Sequence, residues 1–284
     1  MVNANNVELF ILINRKKMKL ISNDIKIFEE GNNSALPVIF IHGFPFDHNM
    51  WKEQISELST DFYCISYDIR GLGESLAGDG QYTIEMFTDD LFSVIDELGI
   101  GKPVLCGLSM GGYIALRAVE KTESKFKGLI LCDTKSGADS NDVKFKRAEG
   151  IKTINKEGLE PFVTNFMRNC FADNFRINEK LKYQELVDRA VTFDPIGVKG
   201  CLLAMAGRTD TTSYLSKIKI PTLILCGEKD SLLPPDIMKE MADKISNAEF
   251  FIVPDSGHII SIENPVFVSD MLFHFLKKIE LTNI

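Results

Sequence analysis

A serine between two glycines is the residue of this sequence best placed to do chemistry. The run Gly107-Leu108-Ser109-Met110-Gly111 follows an apolar stretch, 103–108, and precedes a helical pattern that begins at Tyr113. A strand that turns this sharply into a helix strains its apex residue and lets the side chain project freely. The helix N-terminus also favours negative charge that develops beside it. We therefore predict that Ser109 is a nucleophile; the alternative is a serine that only caps a crossover helix.

A serine hydroxyl needs a neighbouring base, and the chain contains four histidines. His258 follows the last apolar run, at the edge where ligands bind in open α/β sheets, and is predicted to be the general base. His42 is expected to pin the loop after its own strand by hydrogen bonds, and His48 lies in that loop. His274 is expected to be a solvated group on the final helix.

A carboxylate should hold the histidine ring in the correct tautomer. Asp230 is the best placed, because it follows an apolar run and gives the chain order Ser, Asp, His. Asp133 is a rival, since it ends a neighbouring strand, and Glu228 is a further candidate. Any of the three is also compatible with a simple turn.

Two backbone N–H groups are candidates for binding an oxyanion. Gly43 lets the loop after the first buried strand approach a ligand, and Phe44 is the natural donor because Pro45 has no N–H. Met110, at the start of the helix after the serine, supplies the second donor. The alternative for the first loop is a plain turn.

The elements that must position these residues indicate an α/β fold with a mostly parallel sheet. Six runs rich in Val, Ile, Phe and Cys lack alternation, as strands buried on both faces do: 37–42, 62–67, 103–108, 128–133, 222–226 and 249–253. A helix is predicted over 84–98, capped by Thr83 and stopped by Gly99, and another from Pro265 to about Ile279. Residues 18–31 predict an antiparallel pair of strands.

This alternation breaks between 136 and 217, where only helical patterns occur. They cover 147–155, 158–169, 180–191 and 196–206. We predict a core of residues 18–135 and 218–284, a helical insertion at 136–217 that covers one end of the sheet, and an N-terminal extension at 1–17. The insertion carries several large apolar residues, of which Phe162, Phe166 and Met205 are candidate substrate contacts. Plain helix packing would give the same spacing, for these and for Met167, Phe171 and Phe175.

Composition narrows the function classes. The 284 residues carry 32 Lys plus Arg against 40 Asp plus Glu, a net charge of −8 that disfavours nucleic-acid binding. No run of about 18 apolar residues predicts a membrane span, and the N-terminus lacks the order of a secretory signal. The six cysteines show no metal-ligand spacing and indicate a reducing, cytoplasmic compartment. Gly71-Leu72-Gly73 lacks the third glycine of a dinucleotide site. We expect no cofactor and no metal; the oligomeric state stays open.

Five segments resemble the α/β-hydrolase superfamily from about Met18 to Ile279. They are HGFPFDHNMW (42–51), DIRGLGES (68–75), GLSMGG (107–112), GEKDSLLPP (227–235) and DSGHIISIENP (255–265). The first two are similar to the branch of small carboxylesterases, enol-lactonases and cofactor-free haloperoxidases.

This resemblance implies an α/β-hydrolase fold with nucleophile Ser109 and a triad completed by Asp230 and His258. It also implies oxyanion donors at Phe44 and Met110, and a lid formed by residues 136–217. Serine at the apex excludes the similar haloalkane dehalogenases and epoxide hydrolases, which have aspartate there. A salt bridge between Asp68 and Arg70 is expected to tie their loop.

The resulting expectation is a carboxylesterase that acts on small-molecule esters through an acyl-enzyme. Lactone hydrolysis and perhydrolysis by the same residues are alternatives, as is a ligand receptor that retains the triad with slow turnover. The sequence leaves the acyl and alcohol preferences open.

Overall fold

One sheet organises the computed structural model, which describes residues 17–20 and 25–281. Its eight strands in the described part of the chain are β1 (Lys17–Leu20), β2 (Lys26–Glu30), β3 (Pro37–Ile41), β4 (Tyr63–Tyr67), β5 (Val104–Leu108), β6 (Gly128–Cys132), β7 (Thr222–Gly227) and β8 (Ala248–Val253). The predicted N-terminal extension, 1–17, lies outside the described residues except for Lys17, where β1 begins.

The strands lie in the order β1-β2-β4-β3-β5-β6-β7-β8. β3 to β8 pair in parallel, whereas β2 is antiparallel to both β1 and β4. Strands β4 to β7 are buried throughout, because helices cover both faces of a parallel sheet. The predicted α/β class and mostly parallel sheet are confirmed. Burial of the last strand was predicted wrongly: β8 is an edge strand, and Phe251 and Ile252 are exposed.

Helices connect these strands, and two of their predicted ends are confirmed. The helices are α1 (Lys52–Leu58), α2 (Ile84–Leu98), α3 (Met110–Thr122), α4 (Asn141–Glu157), α5 (Leu159–Cys170), α6 (Asp173–Asn178), α7 (Lys180–Val191), α8 (Pro195–Gly207), α9 (Pro235–Ala242), α10 (Ile260–Glu263) and α11 (Pro265–Leu281). Thr83 caps α2 by accepting a hydrogen bond from the Met86 N–H (3.1 Å), and Gly99 ends it at φ 60°.

Five of these helices, α4 to α8, lie between β6 and β7 and form the helical insert (residues 136–217). The first begins at Asn141, earlier than predicted, because the Ser140 hydroxyl accepts from the Val143 N–H and starts the helix in a polar stretch. The short helix α6 was not predicted, since six residues give too little periodicity to detect. No single helix among the described residues passes the length and hydropathy criteria for crossing a bilayer; α7 and α8 pass only as a pair, bent by 95°.

Two glycines allow α3 to lie against the sheet directly after β5. A Cβ atom on Gly107 would lie 2.4 Å from the Gly111 carbonyl oxygen, and one on Gly111 would lie 2.2 Å from the Ile41 carbonyl oxygen. Both obstacles are backbone atoms, which have no rotamer by which to move away. The turn between β5 and α3 therefore depends on hydrogen at both positions.

We expect Gly111→Ala to lower the free energy of unfolding by about 2 kcal/mol or more, because the added methyl group overlaps the backbone of β3. The matched control is Gly101→Ala, since a Cβ there meets nothing within 4 Å. The control should change stability by less than about 0.5 kcal/mol. Urea unfolding of both variants measures the difference; equal stabilities would contradict the packing argument.

Candidate active site

Ser109 lies at the apex of the turn between β5 and α3. Its backbone adopts φ 53° and ψ −112°, a conformation that costs energy for any residue with a Cβ. The Ser109 N–H donates to the Cys132 carbonyl (2.9 Å), and the Ser109 carbonyl accepts from the Thr134 hydroxyl (2.8 Å). Strand β6 and the residues that follow it therefore hold the strained turn in place, and the serine side chain stays partly exposed.

His258 lies on the loop after β8, with its Nε2 2.9 Å from the Ser109 hydroxyl oxygen. Its Nδ1 is 2.7 Å from Asp230 Oδ2. With the ring proton on Nδ1, the ring donates to Asp230 and accepts from Ser109. The backbone N–H of His258 donates to the Cys170 carbonyl at the end of α5 (2.8 Å). This bond ties the His258 loop to the helical insert.

Asp230 is buried at the end of β7, and both its oxygens accept hydrogen bonds. Oδ1 accepts from the N–H groups of Leu232 (2.8 Å) and Leu233 (3.0 Å), while Oδ2 receives the His258 ring. This set of donors suits an ionised carboxylate. The structure thus brings the predicted Ser109, Asp230 and His258 into one continuous chain of hydrogen bonds.

Asp133, the rival carboxylate, lies beside them. Ligand atoms of Asp133, Asp230 and His258 fall within 4.8 Å of one another, but the histidine ring bonds to Asp230. Asp133 Oδ1 accepts from the Gly227 N–H (2.8 Å), and its buried Oδ2 has no hydrogen-bond partner among the described residues. Burial, and then the charge of Asp230, raise the pKa of Asp133 well above its usual value. Glu228, the third candidate, is exposed and accepts from the Asp255 N–H.

The N–H groups of Phe44 and Met110 lie in the two segments that adjoin Ser109. A Cβ atom on Gly43 would come within 3.4 Å of the Ser109 Cβ, so the loop after β3 passes directly beside the serine. Met110 is the first residue of α3, where an N–H has no acceptor within the helix. In the loops, turns and helix caps of the described residues, neither of these two N–H groups donates a hydrogen bond to a backbone carbonyl.

A cavity of about 800 Å³ opens in front of Ser109 and His258. The predicted contacts Phe162, Phe166 and Met205 all line it. Phe44 faces them, with its ring centroid 5.3 Å from that of Phe166. Met167, Phe171 and Phe175 are instead buried in the packing of the helical insert. Apolar side chains of the core loop and of the insert therefore form one wall of the cavity.

Sequence reasoning missed the charged residues of the cavity, because no short motif links them. Asp139 is buried and forms ion pairs with Arg147 (2.5 Å), Arg208 (2.7 Å) and Lys135 (3.4 Å). Burial alone would raise the pKa of Asp139, but the hydrogen bonds and charges of Arg147 and Arg208 outweigh burial and lower it. Among the uncharged residues that line the cavity, Tyr113 could have been found from the sequence, since it lies one helical turn after Ser109.

His42 pins its loop as expected: its Nδ1 donates to the Gly43 carbonyl and its Nε2 accepts from the Ile69 N–H, both at 2.9 Å. Burial lowers the pKa of His42, in keeping with a neutral ring. His274 is exposed on α11, also as expected.

The expected salt bridge between Asp68 and Arg70 is wrong. Arg70 pairs with Asp90 on α2 (2.5 Å), and Asp68 accepts from the backbone and the ring of His48 (2.7 and 2.8 Å). Asp47, His48 and Asp68 form a second group whose ligand atoms lie within 4.8 Å of one another. The bonds to His48 already use the Asp68 oxygen of this group, so the group tethers loops together.

Comparisons with known proteins agree with this fold. A family model described as alpha/beta hydrolase fold matches residues 37–265. The chain is 26% identical over 270 residues to 3-oxoadipate enol-lactonase 1 of Acinetobacter baylyi, covering 95% of this chain and 98% of that protein. The solved esterase of Thermogutta terrifontis, with malate bound, is 34% identical with a TM-score of 0.87, covering 93% and 99% of the two chains. The enol-lactonase of Burkholderia xenovorans is 25% identical with a TM-score of 0.84, covering 92% and 100%.

The raised pKa of Asp133 predicts that the free energy of unfolding falls as the pH rises. The folded protein keeps this carboxyl protonated above pH 3.8, its usual pKa, whereas the unfolded chain releases the proton, so the wild type loses stability as pH rises. We expect Asp133→Asn to be at least as stable as wild type at pH 8, and its advantage to grow from pH 5 to pH 8. Urea unfolding at both values measures this, with exposed Asp96→Asn as the control; a pH-independent difference would argue against a neutral Asp133.

Proposed function

The chain belongs to the α/β-hydrolase fold family, and on this premise we propose that it is a serine carboxylesterase that cleaves small carboxylic esters. The family match and the esterase and enol-lactonase relatives support an enzyme that acts by hydrolysis. The observation that carries the proposal is the hydrogen-bonded chain from Ser109 through His258 to Asp230, with 2.9 and 2.7 Å between the bonded atoms. Ser109 and His258 lie at the floor of a cavity large enough for a small ester.

In the first half of the proposed reaction, the Ser109 oxygen attacks the ester carbonyl while His258 Nε2 takes the hydroxyl proton. The N–H groups of Phe44 and Met110 stabilise the oxyanion of the tetrahedral intermediate. The intermediate collapses to an acyl-enzyme, and the alcohol leaves with the proton from His258.

In the second half, His258 takes a proton from water, and the resulting hydroxide attacks the acyl carbonyl. The same N–H groups stabilise the second oxyanion. The Ser109 oxygen then leaves with the proton from His258, which releases the carboxylic acid and restores the enzyme.

Asp230 serves this cycle by stabilising the imidazolium that forms twice in each turnover. Its two N–H bonds, from Leu232 and Leu233, keep the carboxylate oriented toward the ring. The raised pKa of Asp133 opposes a second negative charge beside the ring. The different surroundings of the two carboxylates thus give them different roles.

The helical insert acts in this proposal as a lid over the core formed by 18–135 and 218–284. Its residues Phe162, Phe166 and Met205 line the cavity and would contact the apolar part of the substrate. We place the reaction in the cytoplasm, because all six cysteines are buried thiols suited to a reducing compartment.

Lactone hydrolysis is the second candidate, favoured by the enol-lactonase relatives. The same steps open a cyclic ester, except that the alcohol stays attached to the acyl group. Comparing kcat/KM for lactones and acyclic esters of equal carbon number separates the two. Halogenation with acetate and hydrogen peroxide would reveal perhydrolysis, and tight ligand binding with negligible kcat would reveal a receptor.

We expect Ser109→Ala to lower kcat on 4-nitrophenyl acetate by about a thousandfold or more, because the nucleophile is lost.

Asp230→Asn should lose activity on a similar scale, since an amide cannot stabilise the imidazolium. Asp133→Asn is the matched comparison for Asp230→Asn: the same chemical change beside the same ring should lower kcat less than tenfold.

Circular dichroism of each variant separates loss of catalysis from loss of folding. A folded Ser109→Ala protein with wild-type turnover would refute the nucleophile. If Asp133→Asn proved more damaging than Asp230→Asn, the two carboxylates would have to exchange roles.

A further inference from the structure

A surplus of positive charge lies on one wall of the cavity, in a chain whose net charge is −8. Lys135, Arg147 and Arg208 surround one buried carboxylate, Asp139. Resting on the proposed function, we infer that the preferred substrate is an ester that carries a second, ionised carboxylate, which Lys135 and Arg147 bind. The substrate class would then be half-esters of dicarboxylic acids.

Arg208 differs from the other two cations in that both of its Nη atoms are engaged within the protein. Its Nη atoms bond to the carbonyls of Met205 (3.1 Å) and Gly137 (2.7 Å) and to Asp139, and its guanidinium lies 4.0 Å from the centre of the Tyr113 ring. Arg208 as a whole is only 5% exposed. Arg208 therefore holds Asp139 and the start of the insert in place, and keeps no Nη atom for a ligand.

Lys135 and Arg147 keep donors for a ligand. Arg147 uses its Nε on Asp139, and its terminal nitrogens have no hydrogen bond to any described residue. Lys135 touches Asp139 only at 3.4 Å. Burial, and then the charge of Arg208, lower the pKa of Lys135.

The other charged groups that face this wall do not cancel the surplus. Lys146 and Glu149 also line the cavity, and Glu149 pairs with Lys152 on the exposed face of α4. Asp210, near Arg208, accepts from the backbone N–H of Thr212 (2.7 Å). The lining therefore carries three cationic side chains, Lys135, Lys146 and Arg147, against the two carboxylates of Asp139 and Glu149.

The second carboxylate would lie on the part of the cavity lining that Lys135 and Arg147 form. Another part of the lining is apolar, with Phe44, Phe162 and Phe166. A short chain of methylene groups between the scissile carbonyl and the carboxylate would lie against these phenyl rings.

The test compares monoethyl glutarate with ethyl 5-methylhexanoate, in which an uncharged isopropyl group replaces the carboxylate. We expect the wild type to hydrolyse the half-ester with at least tenfold higher kcat/KM, and Arg147→Gln to lower that ratio about tenfold, because a charge-assisted hydrogen bond is lost. The matched control is Lys156→Gln, which removes one positive charge from an exposed position of α4 outside the cavity lining and should keep the wild-type ratio. Acid release is followed at constant pH.

The outcomes separate this inference from the proposed function. Equal or faster cleavage of the neutral ester, or an unchanged ratio in Arg147→Gln, overturns the carboxylate site and leaves the esterase standing. If the wild type cleaves no ester, the esterase proposal fails, and calorimetric titration of monoethyl glutarate then decides the site. Binding that Arg147→Gln weakens at least tenfold, and Lys156→Gln does not, supports it; no binding to the wild type overturns it.

Discussion

The backbone of one residue, Ser109, is the constraint on which the rest of the site depends. At φ 53° its side chain leaves the sheet and meets the His258 ring, whereas a relaxed conformation would turn it into the helix. The strain is held by strand β6 on one side and by the contact of Gly111 with β3 on the other. Three neighbouring strands thus share the cost of presenting a single hydroxyl group.

Electrostatic asymmetry is the second theme of the cavity. At its floor, Asp230 accepts three hydrogen bonds, while one oxygen of Asp133 has no hydrogen-bond partner among the described residues, so two identical side chains have different surroundings. On its wall, the carboxylate of Asp139 is outnumbered by cations. The hydrogen bonds around each carboxylate distinguish the two side chains at the floor, and the cations around Asp139 set the charge of the wall.

The sequence predicted what depends on neighbours along the chain. Apolar runs located the strands, and Thr83 and Gly99 marked the ends of α2, because caps and periodicity are local signals. It failed where side chains meet across elements: Arg70 pairs with Asp90 on a helix, and Arg147 reaches the cavity, from positions that sequence spacing does not relate. The edge position of β8 was also missed, since strand order belongs to the whole sheet.

The hydrogen bond from the backbone N–H of His258 to the Cys170 carbonyl links the His258 loop to the end of α5. Glu263 reinforces this junction by accepting from the N–H groups of Ala172 and Ile259. The helical insert is therefore not structurally independent of the core loop that carries His258. Grafting a different insert between β6 and β7 would remove a hydrogen bond that holds the His258 loop, so that, in the proposed enzyme, a change of substrate range is coupled to the alignment of His258 with Ser109.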